Sequence, residues 1–307
     1  MEQSMNKSIF EKIEHLAGPE NILFDEPMKK HTSFRIGGPA DCFVTVSDPG
    51  AFSEMIACCM ENDIPYFIMG NGTNLLVSDR GFRGVVFQLQ KSFQEVSFEG
   101  NTVKASAGVL LSALSHKALE QELTGLEFAS GIPGTLGGAV VMNAGAYGGE
   151  IKNVLVKAEV LKPGEGIRVM NVSDLQLGYR TSIFKHTDLI VLGAELVLEQ
   201  GEKEKIEAEM ERLKIERTSK QPLEYPSAGS AFKRPEGYFA GKLIMDTGLR
   251  GFSVGDAAVS EKHCGFIINK GAATALDVKT LISEIIRRVE ETQGVTLVPE
   301  IRFLGEF

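Results

Sequence analysis

Residues 129–149 read A-S-G-I-P-G-T-L-G-G-A-V-V-M-N-A-G-A-Y-G-G, with seven glycines between Gly131 and Gly149. Glycine lets the backbone take positive φ and removes the Cβ that keeps other groups at a distance. No charged side chain occurs in this run before Glu150. Such a stretch reads as a loop that wraps amide N–H groups around a phosphate or a flat cofactor. The bland alternative is a set of tight turns in a crowded core.

The rest of the chain narrows the choice. Its 307 residues are enough for two or three domains with real cores. Apolar residues at 43% and charged residues at 24% are ordinary for a globular protein. A net charge of -9 leaves no broad basic surface, so nucleic acid is not an expected partner. Cys42, Cys58, Cys59 and Cys264 form no C-x-x-C pair and have no histidine cluster beside them. They read as reduced, buried thiols, and no metal site is expected. No apolar run has the length of a membrane span. Residues 1–14 are polar and charged, without a signal-peptide core, so the expected location is the cytoplasm.

Taken in order, 8–17 reads as a helix with Ile9, Phe10, Ile13 and Leu16 on one face, stopped by Gly18-Pro19. Residues 26–39 form a loop with basic residues and a glycine pair. Short strand 42–46 follows. Asp48-Pro49 opens a helix, Asp as N-cap and Pro in the first turn. A buried strand, 65–69, runs into Gly70-Asn71-Gly72-Thr73-Asn74-Leu75. This resembles the start of G-x-G-x-x-G, but the third glycine position is Leu75 and a strand follows instead of a helix. The dinucleotide fingerprint therefore fails. A turn with N–H groups aimed at a pyrophosphate competes with a plain Asn-Gly hairpin turn.

Strands 85–89, 95–98 and 102–105, helix 110–121, a hairpin of 154–161 with 166–170, and strand 189–198 complete this region. Residues 201–220, rich in Glu and Lys with a narrow stripe of Ile206, Met210 and Leu213, read as a solvated helix leading to a new domain. Beyond it, 240–247 reads as a helix, 251–256 as loop and 264–268 as a buried strand. A strong helix capped by Asp277 ends at Gly294, and a last strand covers 295–304. Neither glycine turn carries a P-loop lysine, a histidine or a cysteine, so a cofactor there would be non-covalent. With no nucleophile elbow or metal spacing, the reading is redox chemistry carried by the cofactor.

Six ordered motifs then resemble one family. They are H-T-S-F-R-I-G-G-P-A-D (31–41), G-N-G-T-N-L-L-V (70–77), G-I-P-G-T-L-G-G-A-V-V-M-N-A-G-A-Y-G (131–148), G-Y-R-T-S-I-F-K (178–185), A-G-S-A-F-K-R-P (228–235) and V-P-E-I-R-F-L-G (298–305). They look like the bacterial UDP-N-acetylenolpyruvoylglucosamine reductases, enzymes of peptidoglycan synthesis. The match runs from His31 to the C-terminus. It implies an α+β fold: a two-lobed FAD-binding region of the vanillyl-alcohol-oxidase type, expected at 1–200, and a C-terminal α+β substrate domain, expected at 201–307. Strand 295–307 is a candidate to pack back on the FAD region.

The resemblance further implies non-covalent FAD, NADPH as reductant and UDP-N-acetylglucosamine enolpyruvate as substrate, with no obligate protein partner. Cofactor contacts are expected from Arg35, from Gly70, Asn71, Gly72, Thr73, Asn74 and Leu75, and from Gly131, Ile132, Pro133, Gly134, Thr135, Gly137, Gly138, Asn143, Ala144 and Gly145. Substrate contacts fall to Tyr179, Lys220, Lys233 and Arg234. Some members carry an extra loop whose tyrosine clamps the substrate. This chain looks like the shorter subclass without it, leaving Tyr147, Tyr179 and Tyr238 as candidates.

Arg180, Ser230 and Glu300 match the catalytic positions. Hydride addition to the enolpyruvyl methylene carbon leaves negative charge as an enolate. Arg180 can stabilise it with a permanently charged fork. Glu300, expected to be buried in an apolar strand, would donate a hydrogen bond if protonated. Ser230 would protonate the α-carbon. Singly, these residues read as a surface ion-pair partner, a turn serine and an edge-strand charge. Two other functions are weighed: a flavin oxidase of small alcohols or sugars on the same scaffold, and a non-catalytic nucleotide-sugar-binding module.

Overall fold

The computed structural model describes residues 2–89 and 93–307. The chain divides into two compact units. One comprises Met1–Phe24, Cys42–Asn71 and Gly84–Ile215; the other comprises Asp25–Asp41, Gly72–Arg83 and Glu216–Phe307. The division falls inside the helix Lys203–Lys220 and between Asn71 and Gly72 of the first glycine turn.

The first unit is built on an antiparallel sheet in the order Gly166–Asn171, Leu155–Lys162, Ile190–Val197, Thr102–Ser106, Val96–Glu99. The helices Leu111–Glu120 and Leu136–Met142 lie against it and share its core, to which they contribute Leu111, Leu114, Leu136 and Val140. The same core continues into a second sheet, where Tyr66–Met69 runs parallel to Phe82–Gln88. The helix Pro49–Glu61 buries Phe52, Met55, Ile56, Cys58 and Cys59 there. Its start is as expected: the Asp48 carboxylate accepts the Ala51 N–H at 2.6 Å, and Pro49 fills the first turn. The N-terminal helix is longer than the 8–17 expectation, running Glu2–Ala17.

Residues 129–149 correct the expectation of a continuous loop. Thr135 caps a two-turn helix, Leu136–Met142, its hydroxyl accepting the Gly138 N–H. Asn143 ends that helix in the left-handed region, φ 42°. A hairpin then pairs Gly145–Ala146 with Gly149–Glu150. Its turn residues, Tyr147 (φ 53°) and Gly148 (φ 90°), both have the positive φ that a two-residue hairpin turn favours.

The second unit carries the antiparallel sheet Ser227–Ser230, Phe266–Asn269, Ala257–Val259, Ser253–Val254. The predicted loop 251–256 therefore contributes a strand, and the strand predicted at 264–268 lies at Phe266–Asn269. The helix Ala275–Gln293 packs Val278, Leu281, Ile282, Ile285 and Val289 into this unit's core. Its N-cap is Thr274, not Asp277. Asp277 is the third helical residue and closes a capping box, with Asp277 N–H to Thr274 Oγ1 at 3.0 Å and Thr274 N–H to Asp277 Oδ2 at 2.9 Å. Gly294 ends the helix at φ 67°.

Two upstream segments belong to this unit. The strand Leu75–Val77 pairs in parallel with Arg302–Leu304. Only those three residues of the predicted strand 295–304 are regular. Pro299 lacks an N–H and bridges to Phe232 instead. The Asp79 carboxylate accepts N–H groups from Ala275 at 2.8 Å and Leu276 at 3.0 Å, the exposed donors at the start of the long helix. The Ser33 hydroxyl donates to the Ser227 carbonyl at 2.6 Å, and Asn269 Nδ2 to the Phe34 carbonyl at 3.2 Å.

Asp79 serves the helix by satisfying two donors at once and placing a negative charge at the helix N-terminus. Replacing it with alanine is expected to cost about 1–2 kcal/mol. Urea unfolding of Asp79→Ala beside the parent protein measures this. An unchanged midpoint would show that Thr274 alone caps the helix.

Candidate active site

The two glycine turns meet within the first unit. A Cβ on Gly70 would fall deep inside the Thr135 hydroxyl, so the backbone of one turn lies directly against the side chain that caps the helix of the other. The Asn71 Nδ2 donates to the Pro133 carbonyl at 3.0 Å. Gly137 is as tightly placed, since its Cβ would come within 2.8 Å of the Ala107 Cβ. The helix amides of Leu136 and Gly137 donate to the carbonyls of Val109 and Ala107. Small, uncharged residues are thus required where these turns touch.

The hairpin 145–150 is equally constrained. A Cβ at Gly149 would meet the Phe128 ring at 2.5 Å, and one at Gly145 would meet the Gly149 carbonyl at 2.6 Å. Asn143 is buried and anchors the hairpin: its Nδ2 donates to Glu150 Oε2 at 2.9 Å and to the Gly178 carbonyl at 3.0 Å, and its Oδ1 accepts the Lys152 N–H at 3.0 Å. Both N–H donors of this predicted cofactor ligand are thereby spent inside the protein.

Arg180 sits in a tight turn in which Gly178 and Thr181 exchange backbone hydrogen bonds of 3.0 and 3.3 Å. Its φ is 54°, a left-handed conformation uncommon for a side chain of this size. Its Nη2 donates to the Gly145 carbonyl at 2.9 Å, and its guanidinium lies over the Tyr179 ring at 5.4 Å. Among the described residues, Arg35, Asn143, Tyr147 and Arg180 all combine positive φ with a place in the motifs singled out from sequence. Such conformations concentrate where geometry serves function.

The second unit holds the other predicted residues. Ser230 ends a strand and is exposed, beside Gly229 at φ 76° with open space where a Cβ would project. Segments 231–233 and 298–300 run side by side. Glu300 N–H donates to the Ala231 carbonyl at 2.9 Å, and Lys233 N–H to the Val298 carbonyl at 2.8 Å. Ser230 is therefore one residue from the carbonyl that holds Glu300. The Glu300 carbonyl accepts Asn74 Nδ2 at 3.2 Å, and Arg302 N–H donates to the Asn74 carbonyl at 2.9 Å. Glu300 is only partly buried, which corrects the expectation of a buried apolar strand. Its segment is an irregular connection fixed by backbone bonds.

Arg35 is exposed at φ 55° in a loop held by Thr32, whose hydroxyl donates to the Ile36 carbonyl at 3.0 Å. The Arg234 guanidinium packs over Phe239 at 4.0 Å and its Nε donates to the Tyr238 carbonyl at 3.2 Å. Lys220 Nζ pairs with Glu216 at 2.7 Å in the last turn of its helix. Among the described residues no group of three or more His, Cys, Asp or Glu is arranged to hold a metal ion, and no helix is long and apolar enough to cross a membrane.

Sequence reasoning missed Glu150 and the role of Asn143. Glu150 has its pKa lowered from the usual carboxylate value, first by the hydrogen bond from Lys152, against some desolvation, then by Asn143 and the charges of Lys152 and Arg180. An Asn followed two residues later by Gly at the end of a small-residue helix was the available signal for a left-handed cap.

The first unit is a flavoprotein scaffold: residues 40–170 match the FAD binding domain family. A crystal structure of 4-ethylphenol oxidase from Gulosibacter chungangensis shares that fold, with a TM-score of 0.51 and 14% identity over 64% of this chain and 43% of that one. Residues 221–304 match the family described as UDP-N-acetylenolpyruvoylglucosamine reductase, C-terminal domain. The reductase of that name from Agathobacter rectalis is 50% identical over 100% of both chains. The crystal structure of the Thermus caldophilus enzyme superposes with a TM-score of 0.79 at 37% identity, covering 92% of this chain and 98% of that one. The chain belongs to the UDP-N-acetylenolpyruvoylglucosamine reductase family.

Two outcomes follow from the site's construction. Gly70→Ala is expected to lower stability by about 1–3 kcal/mol, because Thr135 cannot yield without losing its cap. It should also lower the flavin content of the purified protein; a fully flavinated, equally stable variant would contradict the contact. Glu150 has a depressed folded pKa, so its contribution is present above the unfolded value near 4.5 and is lost as pH falls through the folded one. Unfolding midpoints of the parent and of Glu150→Gln should converge as pH falls below that range. A difference that persists undiminished would refute the linkage.

Proposed function

We propose that this chain is the FAD-dependent, NADPH-driven oxidoreductase that reduces the enolpyruvyl ether of UDP-N-acetylglucosamine enolpyruvate to UDP-N-acetylmuramate for peptidoglycan. Family membership supports the activity. The observation that supports the assignment of chemistry is the backbone pairing of 231–233 with 298–300, which sets Glu300 opposite Ala231, the residue after Ser230, in the unit containing the family's C-terminal domain.

The residues fit FAD. Two uncharged turns in contact, closed to any Cβ at Gly70 and Gly137, leave backbone groups as the means of holding a cofactor. In this reading Gly70, Asn71 and residues 131–138 provide that surface, and Arg35, Gly72, Thr73, Asn74 and Leu75 are further cofactor contacts. Asn143, Ala144 and Gly145 contribute through the backbone. When bound, FAD supplies the hydride, taken from NADPH, to the methylene carbon of the substrate.

The protein's own residues handle the charge that results. In this reading the Arg180 guanidinium stabilises the developing enolate. Glu300, when protonated, donates a hydrogen bond to the enolate. Ser230, on an open turn, is free to deliver its hydroxyl proton to the α-carbon and to recover one from solvent. Lys233 and Arg234 contact the diphosphate, with Tyr179 and Lys220 as further substrate contacts and Tyr147, Tyr179 or Tyr238 as the clamp. Use of a nucleotide sugar and NADPH supports a cytoplasmic location.

The test is anaerobic and in two steps. The purified protein should be yellow, bleach with NADPH, and recover colour on adding the enolpyruvyl substrate. Ser230→Ala should leave bleaching intact and slow recovery by roughly 10²- to 10⁴-fold. Recovery at the parent rate would remove Ser230 from the proton-donor role, and a protein that never bleaches with NADPH would refute the activity.

A further inference from the structure

Asn143 and Arg180 belong to one closed ring of contacts in the first unit. Asn143 Nδ2 donates to the Gly178 carbonyl, and Gly178 opens the turn that carries Arg180. Arg180 Nη2 donates to the Gly145 carbonyl. Gly145 pairs with Glu150 across the hairpin, and the Glu150 carboxylate accepts the other Asn143 N–H. The ring returns to its start. Lys152 adds its N–H to Asn143 Oδ1 and its ammonium to Glu150 at 2.9 Å, while Lys185 Nζ donates to the Arg180 carbonyl at 3.3 Å.

We infer that Asn143 is the positioning residue for Arg180, fixing the direction of the guanidinium by anchoring the Gly178 carbonyl and the Glu150 carboxylate together. The inference rests on the reading of Arg180 as the group that stabilises the enolate. Three physical facts favour asparagine for this task. The position is left-handed, which glycine and asparagine accept. Glycine would keep that conformation but has no amide. Aspartate would keep the shape but set a second carboxylate against Glu150 and a carbonyl in a buried place, with no N–H for either. Only asparagine supplies the conformation and both donors.

The consequence is directional. A catalytic cation misplaced by a fraction of an ångström loses much of its effect, because its contribution depends on where charge develops. Asn143→Gly separates the amide from the backbone, since it preserves φ > 0. The full-length protein with FAD should retain its flavin, while substrate-driven recovery of flavin colour slows by on the order of tenfold or more. In an Arg180→Lys background the same change should slow recovery little further, because its effect passes through the guanidinium.

Activity is not the only readout. In protein labelled with ¹⁵N-arginine, the Arg180 side-chain resonance is identified by its loss in Arg180→Lys. It should shift or broaden in Asn143→Gly and in Asn143→Asp. Fully additive rate losses in the double variant, or an Arg180 resonance that stays in place in Asn143→Gly, would overturn the inference. Should the glycine variant not fold, the aspartate variant carries the test: a moved resonance supports it and an unmoved one overturns it. If Arg180→Lys alone recovers colour at the parent rate, the catalytic reading of Arg180 falls, while the resonance still decides whether Asn143 directs that side chain.

Discussion

The backbone of Gly70 lies against the hydroxyl of Thr135, and much of the first unit is arranged to permit it. The strand Tyr66–Met69 delivers one turn and the capped helix Leu136–Met142 the other. Both are buried through apolar side chains that leave the glycines at the contact. The approach is closer than any Cβ at Gly70 allows, so the backbone of one turn meets the Thr135 hydroxyl of the other directly.

The second unit reaches its arrangement by another route. Its long helix is satisfied at the N-terminus by two acids, Asp277 from within and Asp79 from the segment 72–83. That segment also supplies the partner strand for Arg302–Leu304 and the Asn74 amide for the Glu300 carbonyl. Ser230 and Glu300 are thus connected by a main-chain bond through Ala231, whose side chain packs in this unit's core beside Phe232. The result is a fixed backbone under an exposed hydroxyl. Gly229, with open space beside it, leaves the serine unobstructed.

Where local rules decide, the sequence was readable. Asp48-Pro49 set a helix start, and the stripe Val278, Leu281, Ile282, Ile285, Val289 set a buried helix face. The glycine content marked where the turns would be. What escaped depended on partners distant in sequence or on backbone atoms that no residue letter reveals. Thr135 looked like one more small residue in a loop, yet its hydroxyl begins a helix. Residues 295–301 alternate like a strand, but their backbone groups are taken piecemeal by Ala231, Lys233 and Asn74. Glu300 is consequently less buried than an apolar strand would make it. The positive φ of Arg180 has no glycine to announce it, and the Asn143 amide finds Gly178 thirty-five residues away.

The contacts that hold Arg180 include neutral backbone groups on two sides. The hydrogen bond to Gly145 is to a neutral carbonyl, so that contact fixes place without offsetting charge. Glu150 is close enough for Arg180 to help depress its pKa, but its strongest interactions are with Lys152 and, through a neutral amide, with Asn143. The turn itself is closed by backbone bonds between Gly178 and Thr181. Rigidity is supplied by amides and carbonyls, and the nearby acid is balanced by its own lysine. These contacts hold the Arg180 backbone in the left-handed region and its Nη2 against the Gly145 carbonyl, so the turn and the hairpin are fixed to one another.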